Sequence, residues 1–140
     1  MWFAFFPDIT QEGTMLKPIS PTMHGAMDYA TVMGTAAAPR LLNLPGKAAA
    51  AAYSVATGIL GLAALTDFKP GIKRAVPLKA HGMADTALGL ALPAMPWMLG
   101  FARNRKARNF FLGLTAMMAL TTAMTDWSAK KGRRRRSRSS

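Results

Sequence analysis

Two histidines and four aspartates are the residues of this chain whose type and spacing could do chemistry. His24 and Asp28 stand four residues apart, and so do His81 and Asp85. Four residues is one turn of a helix, so each carboxylate can accept from its own imidazole on a shared face. Asp67 and Asp126 occur at the ends of later apolar stretches. If those stretches are antiparallel partners of the first, all six groups meet at one level. Such a set has several uses. Imidazole with carboxylate suits a divalent transition ion, with His24, His81, Asp28 and Asp85 as ligand candidates. Two histidines at one level also suit the axial positions of a haem b. A carboxylate–histidine chain can move protons or ions. The main expectation is plainer: the groups satisfy one another and hold two parts of the chain together, with no cofactor and no catalytic residue.

The surrounding sequence decides which elements must position them. The chain has 140 residues, enough for one domain, and is half apolar, yet its formal net charge is +12. The basic residues stand in short blocks separated by nearly uncharged stretches, which is the pattern of a membrane protein. No cysteine is present, which removes disulfides, zinc–thiolate sites, iron–sulfur clusters and thiol catalysis. No Gly-rich phosphate loop, zinc-protease pattern or serine-triad pattern occurs. The apolar start, Met1 to Pro7, lacks a basic region and a small-residue cleavage site, so it reads as an interfacial segment and not as a signal peptide.

Four helices are expected. Ser20-Pro21 is an N-cap followed by proline at the first helical position, opening a helix to about Ala38. Residues 48–66 carry no charge and would extend roughly 28 Å, enough for a hydrocarbon core. Pro77 opens a third helix to about Met95, with Pro93 and Pro96 bending or ending it. A fourth covers about 106–127. Helices two and four have no polar stripe of the kind a soluble bundle shows. Gly58 and Gly61 read as close helix packing, and Trp97 and Trp127 as belt residues at opposite interfaces.

Lysine and arginine give an orientation. Lys17, Lys69, Lys73, Arg74, Lys79, Lys130, Lys131, Arg133, Arg134, Arg135, Arg136 and Arg138 fall on one side. Arg40, Lys47, Arg103, Arg105, Lys106 and Arg108 fall on the other. The richer side is expected to be cytoplasmic, with both termini inside a bacterial plasma membrane. The tail residues from Lys130 to Arg138 are expected to be disordered and to bind anionic lipid headgroups. The bilayer, other membrane subunits or a second copy are the expected partners; nucleic acid is not. The domains are then an interfacial segment 1–19, a transmembrane domain 20–127, and the tail 128–140.

The halves also match. His24-Gly25-Ala26-Met27-Asp28 aligns with His81-Gly82-Met83-Ala84-Asp85, and Pro39-Arg40-Leu41-Leu42 with Pro96-Trp97-Met98-Leu99. Thr66-Asp67-Phe68 aligns with Thr125-Asp126-Trp127, two residues further on. Those matches predict two parallel hairpin copies, about 20–68 and 77–127, related by a pseudo-two-fold axis along the membrane normal. The second copy, Asp85-Thr86-Ala87-Leu88-Gly89-Leu90 through Pro96-Trp97-Met98-Leu99-Gly100-Phe101, resembles the SPW-repeat membrane proteins. Met95 stands where that motif has serine, and the first copy reads Ala38-Pro39-Arg40. The resemblance implies a small integral membrane protein of paired helices and brings no catalytic residue with it. Together these readings predict an all-α, four-helix membrane bundle of structural or accessory type, and no self-contained enzyme.

Overall fold

The structure, a computed structural model, describes residues 17–128. The expectations for 1–16 and for the basic tail from Lys130 onward lie outside the described residues. Within them the chain is all-helical: α1 (Pro21–Leu41), α2 (Gly46–Leu65), α3 (Leu78–Ala91), a 3-10 turn (Leu92–Ala94), the short α4 (Met95–Met98) and α5 (Arg105–Met124). Among the described residues, only α2 is both long and apolar enough to cross a membrane by length and composition.

Local chemistry sets the boundaries. Ser20 caps α1 by accepting from the Met23 amide at 3.2 Å, and Asn104 caps α5 by accepting from Ala107 at 2.9 Å. α1 runs past the expected stop at Ala38, with Pro39 inside its last turn. The third helix breaks earlier than expected. Pro93 has no amide to donate, so the α ladder gives way after Ala91 to a 3-10 turn before resuming as α4. Fifty-seven residues earlier stands Ala36, and there α1 continues unbroken.

The helices reverse through the same turn twice. Leu44 donates to the Pro39 carbonyl at 3.0 Å, and Phe101 to Pro96 at 2.9 Å. Asn43 and Gly100 hold the positive φ, at 51° and 76°, that satisfies the last carbonyls of a helix. The link from Leu42 to Pro45 is two residues shorter than that from Leu99 to Asn104.

Each long helix buries a narrow seam. On α5 it is Ala107, Phe111, Leu114, Met118 and Thr121; on α2 it is Ala48, Ala52, Val55, Ile59 and Ala63. Spacings of three and four keep such residues on one face. These seams meet Leu44, Leu92 and Phe101 in an apolar core toward the turn end of the bundle. At roughly 1.5–3 kcal/mol per fully buried large side chain, Phe111 and Leu92, neither of them exposed, are main contributors. The seams of α1 and α3 differ: α1 buries His24 and Asp28 before Thr35 and Ala38, and α3 buries His81 and Asp85 after Leu78. Ionisable groups thus occupy core positions at the opposite end.

Gly58 and Gly61 do not pack against another helix. Both are exposed, and a Cβ added at either would meet nothing within 4 Å.

Candidate functional site

His24 and His81 are both 1 % exposed or less, and Asp28 and Asp85 are 7 % and 3 % exposed. One ligating atom from each of the four lies within 4.8 Å of all the others. The i,i+4 contacts expected from sequence are present, His24 Nε2 to Asp28 Oδ1 at 3.4 Å and His81 Nε2 to Asp85 Oδ2 at 3.2 Å. The contacts that cross from α1 to α3 are shorter: His24 Nε2 to Asp85 Oδ2 at 2.9 Å and His81 Nε2 to Asp28 Oδ2 at 3.1 Å. The ring centroids are 5.3 Å apart and the rings nearly perpendicular, at 82°.

The outer nitrogens are held by threonines. His24 Nδ1 lies 2.8 Å from Thr125 Oγ1, and His81 Nδ1 lies 2.6 Å from Thr66 Oγ1. Each hydroxyl donates back along its own helix, Thr125 to the Thr121 carbonyl at 2.7 Å and Thr66 to the Leu62 carbonyl at 2.6 Å. A hydroxyl has one proton. With that proton committed, each threonine can only accept from its histidine, so Nδ1 carries the hydrogen. In a neutral ring Nε2 is then a bare lone pair turned toward the carboxylates.

Hydrogen bonding resolves this arrangement only in part. His24 Nε2 and Asp85 Oδ2 lie at hydrogen-bond distance, 2.9 Å, a bond that needs a proton on one of the two atoms. His81 Nε2 and Asp28 Oδ2 are not: both are buried, and neither has a hydrogen-bond partner, despite their 3.1 Å separation. A buried polar group left in that state costs about 1–3 kcal/mol.

The ends of the helices bring these groups together through short backbone links. Asp67 N donates to Val76 O at 2.8 Å and Val76 N to Leu65 O at 2.7 Å, fixing the entry to α3 beside the end of α2. Asp126 N donates to Ile19 O at 2.9 Å and Ile19 N to Met124 O at 3.2 Å, fixing the entry to α1 beside the end of α5. Aromatic walls close the site. Phe68 lies 5.6 Å from His81 with the rings tilted, and Trp127 lies 4.7 Å from His24 and 6.0 Å from His81. Glycine is needed beside each wall: a Cβ at Gly25 would run into the Phe68 ring and Pro70, and one at Gly82 would press on Trp127 at 3.1 Å. Trp127 is therefore a wall of the site, whereas Trp97 is 59 % exposed.

Of the six residues singled out from sequence, the structure gathers four. Asp67 and Asp126 turn away. Asp67 pairs with Arg74 at 3.5 Å at the surface, and Asp126 accepts from the Ser128 hydroxyl at 2.7 Å and the Ser128 amide at 3.0 Å. Those two bonds hold the Asp126 carboxyl below the usual carboxylate range. The physical reason is register: the residue before each aspartate points inward, so Thr66 and Thr125 take the places expected for the acids. Their signal lay in the repeated Thr-Asp-aromatic block, as that of Gly25 and Gly82 lay in His-Gly-x-x-Asp.

The haem arrangement does not fit. Asp85 Oδ2 sits 2.9 Å and 3.2 Å from the two Nε2 atoms, in the space a macrocycle between axial histidines would fill. The small cavity lined by His24, Asp28 and Asp85 measures about 10 Å³, which is room for a water molecule or an ion but not a larger guest. No family model matches the chain, and neither the curated proteins nor the solved structures searched gave a match.

Proposed function

We propose that this chain is an integral membrane protein of structural or accessory type, a four-helix bundle made of two copies of one hairpin, clasped at its cytoplasmic end by the His/Asp/Thr network. The observation that carries this is the inverted distribution of polarity. The ionisable residues of α1 and α3 that are free of the helix ends point inward, while Met33, Leu41, Met83, Leu90, Met98 and Leu120 are 62–80 % exposed on the outside. An apolar surface of that extent on a folded bundle calls for an apolar surrounding. The 20-residue helices α2 and α5 extend about 30 Å, the thickness of a hydrocarbon core. Charged residues stand at the two ends, Lys69, Lys73, Arg74 and Lys79 at one and Arg40, Lys47, Arg103 and Arg105 at the other.

Two copies of one hairpin account for the recurrence of equivalent bonds at both turns and both histidines. The likeness of the second half to SPW-repeat proteins points the same way. In this reading each histidine takes its threonine from the other copy: His24 from Thr125, His81 from Thr66. The clasp therefore binds the copies to each other and not each copy to itself.

The chain lacks cysteine, so single cysteines report topology cleanly. Expressed in a bacterial host, the full chain should stay with membranes through an alkaline carbonate wash. In spheroplasts an impermeant maleimide should label Arg103→Cys and spare Ser128→Cys until the membrane is opened. Release by carbonate would overturn the membrane reading; the reverse labelling would overturn the orientation alone.

A further inference from the structure

We infer that His24, Asp28, His81 and Asp85 form a binding site for one divalent transition-metal ion, closed to solvent and structural in role, which ties α1 to α3. The inference rests on the clasp reading, because it concerns the same four side chains, and it adds what fills their centre.

Four observations carry it. The first is the tautomer. Thr66 and Thr125 commit both histidines to hydrogen on Nδ1, so Nε2 is the nitrogen each ring turns inward and the one that coordinates once it carries no proton. A histidine whose other N–H is anchored by a hydrogen bond is the arrangement that orients imidazole toward a metal. The second is the orphaned pair. His81 Nε2 and Asp28 Oδ2 are buried 3.1 Å apart without a hydrogen bond between them. A cation between two such atoms would partner both.

The third is the spacing. A tetrahedral ion with bonds of about 2.0–2.1 Å to nitrogen and oxygen sets neighbouring ligand atoms about 3.3–3.4 Å apart. The four His–Asp contacts here are 2.9, 3.1, 3.2 and 3.4 Å, with Asp28 reaching the two histidines through different oxygens, and one ligand atom from each residue lies within 4.8 Å of the others, so side-chain rotation must draw the set together to reach such a geometry. The fourth is charge. With both imidazoles neutral, as metal ligands must be, they and two carboxylates carry −2, and a divalent cation takes over the neutralising role of the ring protons it displaces. Neutrality matters here because the ligands are buried, and an uncompensated charge is costly away from water. The nitrogen and oxygen donors suit zinc among first-row ions, with cobalt(II) as a spectroscopic stand-in.

The surroundings indicate the role. All four coordination positions are supplied by protein, and Phe68, Trp127 and the two threonines form the next layer. A zinc site with four protein ligands and no open position holds structure together and does not activate water.

The test uses the full chain purified in detergent without a histidine tag or chelator. Elemental analysis should find one zinc per chain after dialysis into zinc-free buffer. Titration of chelator-stripped protein with Co²⁺ should give the strong visible bands of a tetrahedral ion. His81→Gln and Asp28→Asn, each checked for retained helicity by circular dichroism, should lose both signals. Thr66→Val keeps all four ligands and should weaken Zn²⁺ binding about 10–100-fold through the freed imidazole. A wild-type chain that is folded but neither retains zinc nor gives the cobalt spectrum overturns the metal site. So does metal uptake left intact by His81→Gln and Asp28→Asn, which would mark adventitious binding. If in those cases the two variants still lower the melting temperature, the clasp stands without its ion. If they leave it unchanged, the clasp falls too.

Discussion

The two ends of this bundle join its helices by opposite means. Toward the turns, Leu44, Leu92, Phe101 and Phe111 close the core with apolar surface. At the other end the corresponding layer is His24, Asp28, His81 and Asp85. An apolar layer tolerates small changes in partner and register, because dispersion and burial have no direction. A layer of imidazoles and carboxylates does not: each atom needs a partner at a fixed distance, and an unmet group is penalised. The apolar end therefore supplies stability that is insensitive to the other helix's identity. The polar end specifies which helix faces which, and in what register. In a protein read as lying in lipid the contrast is sharper still, since burial against lipid tails gives apolar helices little reason to associate.

The largest effect expected is at the polar end. Asp85→Ala leaves both imidazoles facing one carboxylate in a buried site and should cost about 3–5 kcal/mol, read from denaturant titration in detergent. At the apolar end, Leu92→Ala should cost about 2–5 kcal/mol through the cavity it leaves. The two can be told apart with a chelator, which should lower the melting temperature of Leu92→Ala as it does the wild type, and leave that of Asp85→Ala unchanged. A chelator response in Asp85→Ala would dissolve the comparison.

A smaller effect belongs to the threonines. Thr125→Val removes the acceptor for His24 Nδ1 with little change of shape and should cost about 1–3 kcal/mol. If the cost is instead near zero, the tautomer is not set by the threonine. Least affected should be Asp126→Asn. Asp126 contacts Ser128 and not the histidines, so the change should stay within about 0.5 kcal/mol, measured by the same titration. A loss comparable to that of Asp85→Ala would return Asp126 to the cluster.

Much of this was legible in the sequence. The helical hairpins follow from the capped start at Ser20, the proline start at Pro77, the uncharged run after Lys47, and the prolines at the turns. The pairing of His24 with Asp28 and of His81 with Asp85 follows from helical spacing, which local geometry alone determines. The similar turns at Asn43 and Gly100 follow from Pro39 and Pro96 standing at the same offset as the histidines.

The tertiary structure decided what spacing leaves open. Sequence could bring Asp67 and Asp126 to the right level, but a helix end has no fixed rotation until it is packed. The bridges of Thr66 to Val76 and of Ile19 to Thr125 set that rotation, turning the threonines in and the aspartates out. Only packing could show that the shorter His–Asp contacts run between helices, that Gly25 and Gly82 make room for aromatic walls, and that Gly58 and Gly61 face outward. Sequence alone determined that these six polar residues gather at one end of the bundle. Which four of them meet depends on the angular placement of side chains about each helix axis, and that is fixed by neighbours far away along the chain.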